Sequence, residues 1–266
     1  MAQIKANEAL VKALQTWNID HLYGIPGDSV DAVVDSLRTV RDQFKFYHVR
    51  HEEVASLAAA SYTKMTGKIG VALSIGGPGI VHLLNGMYDA KMDNVPQLII
   101  AGQTNSTLLG TKFFQETNIS KMVDDVAVYH HQIQKGDNVF EITNEAIRTA
   151  YEKKGVSVII CPNDLLTQKI KDTTNRAVDT TKPKPASPKF KSIKKAAKLI
   201  DKAKKPVMLI GLGTQHAKDE LREFIEAAKI PVIHTLPAKT ILPDDHPYSI
   251  GNLGKIGTKT SRSEER

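Results

Sequence analysis

The sequence holds 266 residues, 41% of them hydrophobic and 24% charged, with 36 basic against 29 acidic side chains and a formal net charge of +7. That is enough apolar material for one large core or two ordinary ones, and it excludes a chain disordered throughout. One cysteine, Cys161, excludes an intramolecular disulfide framework, no Cys/His grouping has structural-zinc spacing, and no stretch reads as a secretory leader or a bilayer span. The expectation is a soluble, cytoplasmic protein with no membrane partner.

Short apolar runs alternate with helical patterns from the start of the chain. Strands are expected at 21–25, 44–49, 69–75, 97–101, 127–133 and 156–161, and helices at 6–17, 29–39, 52–65, 79–91 and 140–153. Strands separated by helices of this length predict βαβ units, hence an α/β domain with a doubly wound, mostly parallel sheet over residues 1–165. Residues 166–189 read as a linker, with Pro183, Pro185 and Pro188 stiffening a lysine-rich stretch. From 190 to 266 a second α/β pattern follows: helix 190–204, strand 206–211, helix 216–228 and strand 230–235. Two strands are too few to close a core, so this second domain is expected to be incomplete.

The positive charge is local. Residues 182–205 carry ten Lys and one Asp, or +9, leaving 26 basic and 28 acidic groups, or −2, for the rest. The basic segment has no Arg and one aromatic, Phe190, whereas nucleic-acid surfaces mix Arg forks and stacking aromatics with Lys. It reads as a solvated linker and helix face, and no nucleic-acid partner is expected.

In a doubly wound sheet ligands gather beyond the carboxyl ends of the strands. Three loops stand there. Tyr23-Gly24-Ile25-Pro26-Gly27-Asp28-Ser29 is a βα turn in which Asp28 or Ser29 could cap the next helix. Arg50-His51-Glu52-Glu53 ends one strand and opens an alanine-rich helix, where a carboxylate could simply complement the helix dipole. Ser74-Ile75-Gly76-Gly77-Pro78-Gly79 is a glycine-rich strand-to-helix turn of the kind that binds phosphate, although its spacing is not a P-loop. No GxSxG elbow or HExxH motif occurs, and His48, His51, His130 and His131 have no carboxylate or thiolate at ligand spacing, so no metal ligand is expected in the chain.

Taken together, GIPG at 24–27, RHEE at 50–53, GGPG at 76–79 with His82, NGMYDAKMDNVP at 85–96, FFQETN at 113–118 and PAK at 237–239 resemble the thiamine diphosphate enzymes that act on 2-oxo acids. Pyruvate oxidases are the most similar subfamily. The resemblance implies a pyrimidine-binding type first domain and a flavin-binding type middle domain. Glu52 would then be the catalytic, cofactor-binding glutamate that hydrogen-bonds N1' of the aminopyrimidine, favouring the tautomer whose 4'-nitrogen removes the C2 proton. Gly77, Pro78 and Gly79 would border the thiamine cofactor, and Gly211, Gly213, Thr214 and Lys239 a partial FAD site. Phe114, Gln115, Gly27, Asp28 and Ser29 would lie on the substrate side, with Asp28 standing where relatives carry a small residue. His82 would contact flavin or substrate, or be structural.

The family's GDG signature, whose domain holds the diphosphate through Mg2+, does not occur: Gly27-Asp28 and Gly136-Asp137 are not followed by Gly. The resemblance therefore implies the pyrimidine side alone, with Mg2+ expected only in the domain this sequence lacks. The implied partners are a small 2-oxo acid and either a homo-oligomer or a complementing chain. The implied reaction is that of a pyruvate oxidase-like flavoprotein, forming acetyl phosphate, CO2 and H2O2. The alternatives are a truncated, catalytically silent fragment, or part of an acetolactate synthase-like enzyme.

Overall fold

The computed structural model describes residues 2–183 and 186–263; Met1, Lys184, Pro185 and residues 264–266, on which parts of the expected linker and tail fall, lie outside the described residues. The chain divides into two units, Met1–Lys184 and Pro185–Arg266. In the first, β1 (Gln3–Lys5) leads into α1 (Ala6–Thr16), followed by β2 (His21–Gly24), α2 (Asp31–Thr39), β3 (Lys45–His48), α3 (Glu52–Thr66), β4 (Gly70–Ser74) and α4 (Pro78–Met92). Then come β5 (Gln97–Gln103), α5 (Ile119–Val123), β6 (Ala127–Gln132), α6 (Val139–Lys153), β7 (Val156–Pro162), α7 (Asn163–Leu166) and β8 (Lys169–Lys171).

Six of these strands form one parallel sheet in the order β3-β2-β4-β5-β7-β6. The central runs are apolar without alternation because both faces are covered. Leu98 and Ile100 of β5 point to a cluster with Leu10, Leu14, Val33 and Ile147, while Ile99 and Ala101 point to one with Ala59, Leu83 and Met87. Each fully buried Leu or Ile contributes roughly 1.5–3 kcal/mol. The predicted doubly wound α/β fold is therefore present. β2 lies between β3 and β4, so the chain leaves it in one direction and returns on the other side, and the loops after β2 and β4 part at that switch.

Buried polar groups tie the layers. The Gln97 carboxamide donates to the Ser56 carbonyl (2.6 Å), Trp17 Nε1 donates to Asn144 Oδ1 (2.8 Å), and the Tyr151 hydroxyl accepts from the Ile69 amide (2.7 Å). Cys161 is fully buried in β7, and burial pushes its thiol pKa well up. A thiol held protonated and out of water is inert. Native chain is expected not to react with Ellman's reagent, with one equivalent released in denaturant; rapid labelling of native protein would contradict the buried placement.

Residues 166–183, expected as linker, belong to the first unit. β8 pairs antiparallel with β1, Ile170 opposite Ile4, and both pack near Ala9, Ala13 and Phe140 along with Val178. Thr173 is buried and hydrogen-bonds Asn138, and Lys182 Nζ donates to the Gly67 carbonyl. Two isolated apolar residues, Ile170 and Val178, are enough to seat this polar stretch over α1 and α6.

The second unit runs α8 (Phe190–Lys202), β9 (Met208–Ile210), α9 (Lys218–Ala228), β10 (Val232–His234), β11 (Ser249–Asn252) and α10 (Lys259–Ser263). Its sheet has three parallel strands, β11-β10-β9, one more than expected. β11 reads Ser-Ile-Gly-Asn, with too little apolar content to be recognised as a strand. A small core of Ile210, Ile225, Val232, Ile241 and Leu242 holds the unit together, and no residue of α8 is buried. Among the described residues, no helix is long and apolar enough to cross a membrane.

Candidate functional site

Glu52 is the first residue of α3. Its N-cap, His51, turns back so that Nδ1 accepts from the Glu53 amide (3.3 Å). The Glu52 side chain is 13% exposed, and Oε2 lies 2.9 Å from His82 Nδ1, one turn into α4. The His51 and His82 rings stack with centroids 4.4 Å apart, and Asn85 Nδ2 donates to Glu53 Oε1. Two polar pairs, Glu52–His82 and Glu53–Asn85, therefore bridge α3 and α4 at one end of their contact.

Burial alone would raise the Glu52 pKa, but the hydrogen bond to His82 and the charge beside it outweigh that effect and lower it. Replacing His82 with Ala is expected to raise the Glu52 pKa, read by 13C NMR titration of the glutamate carboxyls. An unchanged Glu52 titration would show that His82 does not set it.

At the switch between β2 and β4 an open cavity of about 280 Å³ is lined by Asp28, Ser29, Gly76, Phe114, Gln115 and Asn163 among others. Four of the predicted substrate-side residues, Asp28, Ser29, Phe114 and Gln115, are thus brought together. The loops are cross-linked: the Gly76 amide donates to Ser29 Oγ (3.0 Å), and Asn163 Nδ2 donates to the Asp28 carbonyl (2.9 Å). Glu116 accepts from the Gly110 and Phe113 amides, which folds the loop carrying Phe114, and Phe114 stands 77% exposed. The lining holds two carboxylates, Asp28 and Asp31, and no Lys or Arg.

Gly27 and His82 do not line this cavity. Gly27 packs on Ile75, where an added Cβ would approach Ile75 Cγ2 to 2.6 Å, and His82 is instead paired with Glu52. Gly77 caps α4 at φ +60°, with Pro78 as the first helical residue; a Cβ on Gly77 would come within 2.8 Å of the Gln115 carbonyl. Gly79 likewise sits against Ser74 and Ile75. Close packing therefore accounts for each glycine of this turn: Gly77 on the loop carrying Gln115, Gly76 on the Gly102 carbonyl, and Gly79 on Ser74 and Ile75.

In the second unit Gly211, Gly213 and Thr214 form the turn after β9, and Lys239 follows the turn after β10, its Nζ 3.2 Å from Asp244. β9 and β10 are parallel neighbours, so both turns lie at one edge of that sheet. A Cβ on Gly213 would meet nothing within 4 Å, so packing within the unit does not require glycine there.

Sequence reasoning missed the pairing of His82 with Glu52, the stacking of His51, and the cavity residues Asp31 and Asn163. Asn163 stands two residues past Cys161, where the strand expected at 156–161 ends, and that position at a carboxyl edge was the available signal.

Comparison with known families places the chain in a class. It belongs to the thiamine pyrophosphate enzymes: the N-terminal TPP binding domain of that family matches residues 4–122, and its central domain matches residues 193–264. Among curated relatives, YdaP of Bacillus subtilis (strain 168), provisionally described as a thiamine pyrophosphate-containing protein, is 48% identical over 97% of this chain and 45% of its own length. Pyruvate oxidase of Lactiplantibacillus plantarum is 38% identical (96% of this chain, 43% of that protein), and acetolactate synthase of Mycobacterium leprae 34% (96% and 41%). The chain spans less than half the length of these relatives.

Proposed function

We propose that this chain forms the pyrimidine-binding side of a pyruvate oxidase-like enzyme acting on small 2-oxo acids. The observation that carries the reading is the Glu52 carboxylate, mostly buried at a helix N-terminus beyond the sheet's carboxyl edge, with Oε2 held by His82. These residues fit the aminopyrimidine of thiamine diphosphate: a mostly buried carboxylate that His82 keeps ionised can accept a hydrogen bond from a protonated ring nitrogen and stabilise its charge. Thiamine diphosphate, when bound, supplies the carbon centre that attacks the 2-oxo carbonyl. Glu52 holds a proton at N1' of the pyrimidine. His82 orients the carboxylate, and Phe114, Gln115, Ser29 and Asp28 shape the substrate side.

In this reading the Gly211–Thr214 turn and Lys239 would hold FAD. Open space at Gly213 suits a group that must come close to backbone. Mg2+ and the diphosphate would be held by residues outside this segment, and with those residues present pyruvate, phosphate and oxygen would give acetyl phosphate, CO2 and H2O2. The chain alone, with saturating thiamine diphosphate, Mg2+ and FAD, is expected to give no pyruvate-dependent peroxide. Addition of the remaining portion of a relative is expected to restore it. Turnover by the chain alone would overturn the half-site reading. Acetolactate instead of acetyl phosphate from the complemented pair would overturn the oxidase reading in favour of a synthase.

A further inference from the structure

We propose that His51, Glu52 and His82 form a binding site for a borderline divalent transition cation of the Zn2+, Co2+ and Ni2+ class. Each side chain offers one ligand atom, and the three atoms lie within 4.8 Å of one another. Spacing along the chain conceals the set, because the third member lies 30 residues away on α4. The fold supplies it by packing α4 against α3.

Zinc binds imidazole nitrogen and carboxylate oxygen at about 2.0–2.2 Å, which sets neighbouring ligand atoms of a tetrahedral site about 3.4 Å apart. His82 Nδ1 and Glu52 Oε2 already lie 2.9 Å apart. The remaining closure requires His51 to exchange its bond from the Glu53 amide and its stack on His82 for the metal, a rotation for which side chains 48% and 42% exposed leave room. Two imidazoles and one carboxylate suit a borderline metal, whereas Mg2+ and Ca2+ prefer oxygen alone. Exposure of both rings leaves the fourth position to water. An outer partner is at hand: Glu53 Oε2, whose carboxylate Asn85 also holds, lies 3.7 Å from His51 Nδ1 and can accept from it once Nδ1 carries the proton and Nε2 faces the metal.

One consequence rests on the functional reading above. A Glu52 carboxylate bound to a cation is not available to N1' of a pyrimidine, so cation and cofactor exclude each other, and metals of this class inhibit the assembled enzyme.

The test uses the tag-free, metal-stripped chain titrated with Co2+. Expected is one Co2+ per chain with the intense visible absorption of a four-coordinate site, displaced by one equivalent of Zn2+. His51→Gln and His82→Gln each remove the band and weaken binding by more than about tenfold, since even outer partners of metal ligands are worth 10–100-fold. Both side chains are half-exposed, and circular dichroism checks the fold; should one variant unfold, the other decides. A double His130→Gln, His131→Gln variant keeps the band. Absence of the band, or its survival in a folded His51 or His82 variant, overturns the site. In the complemented enzyme Zn2+ raises the KM for thiamine diphosphate, and His51→Gln removes that effect. The cobalt band needs no thiamine, so its failure overturns the cation site alone. An intact band with an unaffected KM overturns the reading of Glu52.

Discussion

Replacing Glu52 with Gln is expected to slow C2 proton exchange on thiamine diphosphate by about 10²–10⁴-fold in the complemented enzyme, the range that a positioned acid–base group contributes. Glutamine keeps the length of the side chain and can still accept from His82, so the α3–α4 contact stays intact while the shared proton is lost. Exchange followed by quenched-flow proton NMR separates this step from substrate binding, and an exchange rate within a few-fold of wild type would remove Glu52 from the chemistry. The same substitution has a pH signature. The folded pKa of Glu52 is lowered from the usual 4.5, so its stabilising effect is fully present above that value and is lost as pH falls through the folded pKa. The wild-type chain therefore loses stability over that acid range by an increment that Glu52→Gln lacks, measurable as converging denaturation midpoints below pH 4.5.

The parts of this fold that could be read from the sequence are those whose side chains are buried on both faces. Val-Ala-Leu of β4 and Leu-Ile-Ile of β5 are continuous apolar runs because helices cover them from above and below. β1 and β8 carry one apolar residue each, Ile4 and Ile170, and their pairing joins residues 166 positions apart, so no local pattern announces it. The same distinction separates the site residues. Glu52 was visible as an acidic residue opening a helix after a strand, a position defined by local sequence. Its partner His82 was visible only as a residue one turn into another helix. That the two meet depends on how closely α3 and α4 approach, a tertiary quantity set by small residues on both helices. For the same reason the sequence leaves His82 open between a flavin or substrate contact and a structural role, and does not show the carboxylate within reach of His51.

That approach can be tested directly at Gly86. A Cβ there would come within 2.6 Å of the Leu57 amide nitrogen and the Ser56 side chain, which sit in α3 and are held by the buried Gln97 carboxamide. Backbone is the obstacle, so the helices must part. Gly86→Ala gains helix propensity of about 1 kcal/mol in α4 and is nevertheless expected to destabilise the chain, because overpacking in a tight core costs roughly 1–3 kcal/mol and this contact lies at the severe end. Gly86→Val is expected to cost more. Gly86 stands one turn beyond His82 and next to Asn85, so parting the helices also lengthens the Glu52–His82 and Glu53–Asn85 pairs. The variant should therefore show two coupled changes: a lower urea midpoint, and a Glu52 pKa shifted upward in the folded state as its hydrogen bond weakens. Loss of stability with an unshifted Glu52 pKa would mean that the pair is held by the α3 N-terminus alone. Retention of both would mean that the two helices have room that the contacts at Gly86 deny.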